Sequence, residues 1–211
     1  MKTDDLISIL SRSAGAAPRA VAARRLAPVM LGGALASAAL SLLILGPAPN
    51  LETVGTALAL KFAYAGALAA CAAWLTARLA RPIARLRGAV AVVAGVVLVA
   101  AVVGLLAAFD TPAGERLPYV MGDSWLQCPW SVLALSLPTL CGTFWALRGL
   151  APTRLRAAGL AAGLLAGAVG AFGYAFTCHE TSTAFIALWY TLGIGMAGGV
   201  GALLGPNALN W

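Results

Sequence analysis

The four cysteines are the residues of this chain best suited to chemistry, and their positions divide them into two pairs. Cys71 and Cys141 lie deep inside long apolar segments, where a thiol usually packs as a small hydrophobic side chain. Cys128 and Cys178 lie at the boundaries of two such segments. Thiols at a membrane boundary that faces an oxidising compartment can form a disulfide, bind a soft metal or react with an oxidant. We therefore expect chemistry at Cys128 and Cys178.

His179 and Glu180 directly follow Cys178 and bring a nitrogen and an oxygen donor close to the sulfurs. Cysteine and histidine are ligands that zinc and copper favour. Cys128, Cys178 and His179 therefore form a candidate site for transient binding of a soft metal, and no cofactor is predicted to be required. Cys128 and Cys178 could instead form a permanent disulfide that links two helices. The sequence is therefore compatible with both a sensor and a structural disulfide.

Enzyme chemistry has no support in the motifs of the chain. The single histidine excludes a membrane haem held by two histidines. The sequence also lacks the His-Glu-x-x-His motif of zinc proteases and the Cys-x-x-Cys motif of thiol oxidoreductases. We therefore predict no catalytic residues and a protein that is not an enzyme.

Six long apolar runs must position the cysteines. The chain has 211 residues, of which 61% are hydrophobic and 10% are charged, and this composition is typical of an integral membrane protein. Each run holds about the 20 residues that a helix needs to cross a bilayer, and runs this long and rich in Gly and Ala favour helices over strands. We predict an all-α bundle of six transmembrane helices at residues 27–46, 57–79, 88–109, 129–147, 157–177 and 183–204. The predicted domains are a head at 1–26, the transmembrane domain at 27–205 and a tail at 206–211.

The basic residues are concentrated on alternate sides of these spans. The formal net charge is +7, and all but two of the 14 basic residues precede the first span or lie between spans two and three or four and five, with Arg78 counted at the very end of span two. Positive charge on these segments places them in the cytoplasm. Both termini are therefore predicted to be cytoplasmic, with lipid around the bundle and no direct contact with nucleic acid.

Lys61 is the only formally charged residue well inside a predicted span, since Arg78 lies one residue from the end of the span at 57–79. It lies about one or two turns from the external end of its helix, so we expect its side chain to snorkel to the lipid headgroups, toward Glu52 or another external acid. Charged residues in spans can also mark an ion path. Lys61, together with a helix that Pro138 would kink, supports the alternative of a small-solute or ion permease.

Small residues at intervals of four mark two helix faces. They are Gly159, Gly163 and Gly167 in the fifth span, and Gly193, Ala197, Gly201 and Gly205 in the sixth. Close backbone approach drives helix association in lipid. We expect these two spans to pack on each other or on the fourth span.

The N-terminal head carries the pattern of a short amphipathic helix. Thr3 can cap this helix, two acids occupy its first turn, and apolar residues then follow at helical spacing. A helix this short is not stable alone in water, and the acids and the lack of Trp or Phe favour a protein partner over a membrane surface. The predicted partner-binding residues are Asp4, Asp5, Leu6, Ile7 and Leu10.

Three segments carry a resemblance to a known family. They are the opening Met1 to Ile7, the stretch from Cys128-Pro129-Trp130 to Thr143-Phe144-Trp145, and Cys178-His179-Glu180 followed by Trp189 to Gly193. These segments resemble the NrsF family of six-span anti-sigma factors in the bacterial inner membrane.

The resemblance implies a function and a sensor. The protein would hold an extracytoplasmic-function sigma factor inactive and release it under metal or oxidative stress, with two periplasm-facing cysteines as sensing residues. Cys128 and Cys178 are the positions that match those cysteines. A structural membrane subunit, stapled by the same two cysteines, is a further alternative.

Overall fold

The structure, a computed structural model, describes residues 3–5, 7–8, 21–48, 55–81, 85–150 and 152–210. In this part of the chain, six helices are long and apolar enough to cross a membrane, and they match the six predicted spans. The predicted all-α fold class is confirmed. In chain order the helices are α1 (Val21–Leu45), α2 (Gly55–Leu79), α3 (Arg87–Asp110), α4 (Arg116–Met121), α5 (Gln127–Arg148), α6 (Leu155–Tyr174) and α7 (Thr183–Ala208). Helix α4 is short and does not span.

The alternating direction of the six long helices gives the bundle two ends. The basic end holds the starts of α1, α3 and α6, and it carries most of the described arginines. Arg148 at this end donates a hydrogen bond through Nε to the carbonyl oxygen of Ala208, which ties the end of α5 to the end of α7. The α4 end lies opposite, and it holds the starts of α5 and α7 and the end of α6.

Helix α6 forms the centre of the bundle, in contact with α1, α2, α5 and α7. Its closest neighbour is α7, because a Cβ atom on Gly159 would collide with the carbonyl oxygen of Gly201, and a Cβ atom on Gly201 with that of Gly159. Gly193 of α7 instead faces Pro129 and Val132 of α5. The predicted packing of the glycine faces is therefore confirmed, on each other and on the fourth span.

Hydroxyl groups of α1 attach this helix to the centre. Ser37 donates a hydrogen bond to the carbonyl oxygen of Leu135 on α5 at 2.7 Å, and Ser41 donates one to that of Gly173 on α6 at 2.8 Å. Helix α5 runs on through Pro138. Helix α3 lies at the edge of the bundle, with most of its surface exposed to lipid.

The connection between α3 and α5 contains the short helix α4. Arg116, at the start of α4, donates hydrogen bonds through Nε to the carbonyl oxygen of Thr111 and through Nη2 to that of Phe109. These carbonyls end α3, and a cation there also suits the negative end of the helix dipole. The position of Arg116 away from the basic end therefore has a structural explanation.

Candidate functional site

Cys128 and Cys178 lie together at the α4 end. Cys128 is in the first turn of α5, and its amide donates a hydrogen bond to the carbonyl oxygen of Ser124. Cys178 follows the last turn of α6, and its amide bonds to the carbonyl oxygen of Tyr174. Both side chains belong to one buried cluster. The structure therefore brings the two cysteines to the same part of the bundle, and their direct pairing stays a prediction.

Both thiols are free and covered by protein. Cys128 is 0% exposed and Cys178 is 2% exposed. The sequence places them at the span boundaries but does not indicate this cover. A reagent such as a maleimide can therefore reach them only after the covering residues move. The other two thiols differ, since Cys71 is partly exposed and Cys141 is exposed on the outer face of α5.

Lys61 does not snorkel, contrary to the prediction. Its side chain is 0% exposed, and its ammonium donates a hydrogen bond of 2.5 Å to the carbonyl oxygen of Cys178. The reason is that this face of α2 packs on α6, so the ammonium reaches the backbone of the segment that follows α6. Glu52, the predicted partner, lies outside the described residues. Lys61 is thus part of the thiol site.

Tyr190 is the second buried polar group beside the thiols. Its ring lies 5.9 Å from that of Tyr174, and its side chain is 0% exposed. The hydroxyl lies next to the Cys178 sulfur but outside the geometry of a hydrogen bond, and it has no other partner among the described residues. An unpartnered buried hydroxyl costs about 1 to 3 kcal/mol.

A π-helical turn, Ile186–Tyr190, places Tyr190 in the site. Such turns contain an extra residue and occur often at functional sites. The hydroxyl of Thr191 follows the turn and bonds to the carbonyl oxygen of Ala187 and to the hydroxyl of Tyr64. The bond to Tyr64 connects α7 to α2.

Glu180 closes the site from the α4 end. Its Oε1 accepts three hydrogen bonds: from the amide of Asp123 at 2.7 Å, and from the amide and the hydroxyl of Ser124 at 3.0 Å each. Gly122 precedes this loop with φ +60°, and a Cβ atom there would meet the Glu180 carboxylate at 2.8 Å. We call this arrangement of Glu180 with residues 122–124 the clasp. It joins the segment before Cys128 to the segment after Cys178.

Aromatic residues strengthen the clasp. The indole of Trp189 on α7 donates a hydrogen bond to the carbonyl oxygen of Val120 on α4, and its ring lies 5.4 Å from that of Trp125. The hydroxyl of Tyr119 on α4 accepts a hydrogen bond from the amide of Thr183 at 3.3 Å. Helix α4 is therefore attached to α7.

One group of three metal-ligating side chains is present among the described residues. It consists of Asp123, His179 and Glu180, whose ligand atoms all lie within 4.8 Å of one another. The imidazole of His179 therefore lies close to two carboxylates. Cys128 and Cys178 do not belong to this group. The predicted ligand set of Cys128, Cys178 and His179 stays a prediction.

The predicted partner-binding residues lie apart from the thiols in sequence, in the N-terminal head. Asp4, Asp5 and Ile7 are helical and exposed, and Ile7 keeps 58% of its surface exposed. Leu6 and Leu10 lie outside the described residues. An exposed isoleucine on a short helix is compatible with a protein-binding face.

Fold and site together define a multi-pass helical membrane protein with a covered thiol pair at one end of its bundle. The chain belongs to the NrsF family, whose model, described as negative regulator of sigma F, matches residues 10–211. It is 37% identical over 216 residues to the probable anti-sigma-F factor NrsF of Azospira oryzae. It is also 37% identical over 214 residues to the anti-sigma-F factor NrsF of Caulobacter vibrioides. Both alignments cover the whole of each chain, and no solved structure matches.

These relationships confirm the resemblance found in the sequence. Anti-sigma factors are regulatory binding proteins, so the prediction that this chain is not an enzyme is confirmed as well.

Proposed function

We propose that this protein is an anti-sigma factor that holds an extracytoplasmic-function sigma factor at the inner membrane and releases it when Cys128 and Cys178 react. Its family and the names of its two relatives support a sigma factor as the partner. The observation that carries the sensor role is the burial of both thiols in one cluster that joins five helices. A change at the sulfurs must therefore be accommodated by the bundle, because packed interiors have few voids.

The distribution of charge supports an orientation. By the positive-inside rule, the arginines favour a cytoplasmic basic end, on the side of the sigma factor, and the α4 end would then face the periplasm. The described arginines of the basic end are Arg24, Arg25, Arg78, Arg81, Arg85, Arg87, Arg148, Arg154 and Arg156. The thiols then lie on the oxidising side of the membrane, opposite the head that binds the partner.

Oxidation of the pair supplies a defined chemical signal. A peroxide takes two electrons and two protons from the two thiols, which form one disulfide bond, and it leaves as an alcohol and water. Binding of a soft metal is the second route, in which each thiol gives up its proton and the two thiolates become ligands. Either event pulls the start of α5 toward the end of α6.

Helices α6 and α7 can carry the signal to the basic end. Cys178 holds Lys61 through its carbonyl and lies against Tyr190, so a shift at its sulfur acts on α2 and α7. The backbones of α6 and α7 are in direct contact at Gly159 and Gly201, close to the basic end. Interfaces this tight move between discrete arrangements rather than deform gradually.

The partner-binding surface in this proposal is the N-terminal head. Asp4, Asp5, Leu6, Ile7 and Leu10 would form its contact face, with the acids at the start of the helix and the apolar residues along one side. A head helix that folds onto the sigma factor gains the stability that it lacks alone.

The test uses a sigma-dependent reporter in cells that carry single cysteine variants. We expect Cys128→Ser and Cys178→Ser to keep the reporter repressed but to abolish its induction by peroxide or soft metal. Cys71→Ser and Cys141→Ser are the matched controls and should respond as the unmodified protein does. Normal induction in Cys128→Ser and Cys178→Ser would overturn the sensor role.

A further inference from the structure

Asp123, His179 and Glu180 come from two separate segments that the clasp brings together. Asp123 lies in the loop between α4 and α5, whereas His179 and Glu180 lie between α6 and α7. The side chains of Asp123 and His179 are exposed, and that of Glu180 is partly exposed. The three ligand atoms lie within 4.8 Å of one another. This group is open to solvent, unlike the covered thiols.

The donor set suits a borderline divalent cation. One imidazole nitrogen and two carboxylate oxygens are common ligands of Zn²⁺, and water completes such a site. Ligand atoms around a tetrahedral Zn²⁺ lie about 3.4 Å apart, given bonds of about 2.0 to 2.2 Å. The observed spacing therefore needs only small rotations of exposed side chains to close around an ion.

Glu180 has one carboxylate oxygen to spare. Its Oε1 accepts all three hydrogen bonds of the clasp, and Oε2 accepts none among the described residues. A cation held by Oε2 therefore leaves the clasp intact. The ion would add a bridge from Asp123, before α5, to His179, after α6.

We propose that Asp123, His179 and Glu180 form a binding site for a divalent cation of the Zn²⁺ class, and that the bound ion locks the clasp over the thiols. This site goes beyond the proposed function and does not depend on the sigma factor. Its ligands are oxygen and nitrogen, so it is separate from any metal capture by the two sulfurs. Occupation of the site slows every reaction that requires the cover over Cys128 and Cys178 to open.

The binding test uses the full chain in detergent, purified with a tag that contains no histidine. In the Cys128→Ser/Cys178→Ser variant, Co²⁺ should give visible ligand-field absorption without a thiolate charge-transfer band, and Zn²⁺ should displace it at one ion per chain. His179→Gln and Asp123→Asn should each raise the Kd for Zn²⁺ by at least about tenfold, since even loss of a group that only supports a ligand costs roughly that much. Asp110→Asn, an exposed acid at the same end, is the control.

Two results of this titration would overturn the site. One is an unchanged Kd in both His179→Gln and Asp123→Asn. The other is loss of the ion in the variant without the two cysteines, which would assign the metal to the sulfurs. Both readouts are independent of sigma binding. A negative result in the metal titration therefore does not affect the proposed function, and a negative result with the sigma-dependent reporter does not affect this metal site.

The locking effect has its own readout in the rate of thiol labelling. In a Cys71→Ser/Cys141→Ser background, Zn²⁺ should slow the reaction of Cys128 and Cys178 with N-ethylmaleimide several-fold. His179→Gln should remove this protection. Protection that persists in His179→Gln would show that Zn²⁺ covers the thiols by binding them directly, and it would overturn the lock.

Discussion

The ammonium of Lys61 donates a hydrogen bond to the backbone carbonyl oxygen of Cys178, and both side chains are buried in the bundle. A cation at this place satisfies a carbonyl just beyond the end of α6, as Arg116 does at the end of α3. The two basic residues that lie away from the basic end therefore have the same structural role. The hydrogen bond of Lys61 also connects α2 to Cys178, one of the two thiol residues.

The first prediction concerns the buried stem of Lys61. Lys61→Ala should be less stable than Lys61→Met by about 2 kcal/mol or more, because alanine leaves a cavity that methionine fills. The measurement is the free energy of unfolding in mixed detergent micelles. Equal stabilities of Lys61→Ala and Lys61→Met would contradict the buried position and would favour the snorkelling side chain expected from the sequence.

The second prediction concerns the contact between α6 and α7. Gly201→Ala should lower the free energy of unfolding by about 1 to 3 kcal/mol, because its Cβ would press on the carbonyl oxygen of Gly159. Gly199→Ala on the same helix meets open space, and its stability should change by less than about 1 kcal/mol, toward higher values. A reversed order of the two variants in the same unfolding measurement would contradict the packing.

The third prediction concerns the clasp. Glu180→Gln weakens three charge-assisted hydrogen bonds, so the cover should open more often and both thiols should react with N-ethylmaleimide about ten to a hundred times faster. The rates are measured with a chelator present and with Cys71 and Cys141 replaced by serine. Glu115→Gln, at the same end but outside the clasp, serves as the control. Equal rates in both variants would show that Glu180 does not limit access.

The fourth prediction concerns the head. Ile7→Asp should strongly reduce co-purification of the sigma factor, because it places a charge on the proposed apolar contact face. Ile7→Leu should keep the partner bound. Retention of the sigma factor by Ile7→Asp would remove the head from the proposed interface.

Hydropathy and spacing predict the elements of this fold well. Each span is long and apolar enough to be found locally, and Gly159 and Gly201 belong to glycine faces that are visible as intervals of four. Cys128 and Cys178 could be assigned to the same end of the bundle because one begins a helix and the other follows the end of the next, antiparallel helix. These features depend only on residues close in sequence or on simple topology.

The remaining features depend on contacts across the chain, which a single sequence does not reveal. Glu180 meets Asp123 over 57 positions, and Lys61 meets Cys178 over 117. The sequence around a lysine near the end of a span does not indicate whether its ammonium extends to the lipid headgroups or binds a backbone carbonyl of another segment. Tyr190 enters the site through a π-helical turn, and the local sequence gives no clear signal for such a turn. The only hint available was a tyrosine in an apolar span, a position where its hydroxyl needs a partner.

The most direct test of the central claim measures the state of Cys128 and Cys178 together with release of the sigma factor. Membranes from cells with Cys71→Ser/Cys141→Ser are denatured and alkylated before and after peroxide, and the bound sigma factor is quantified in parallel. The account predicts two free thiols at rest, a reducible disulfide after peroxide, and loss of the sigma factor over the same time course. Release of the sigma factor while both thiols stay unmodified and free of metal would contradict it.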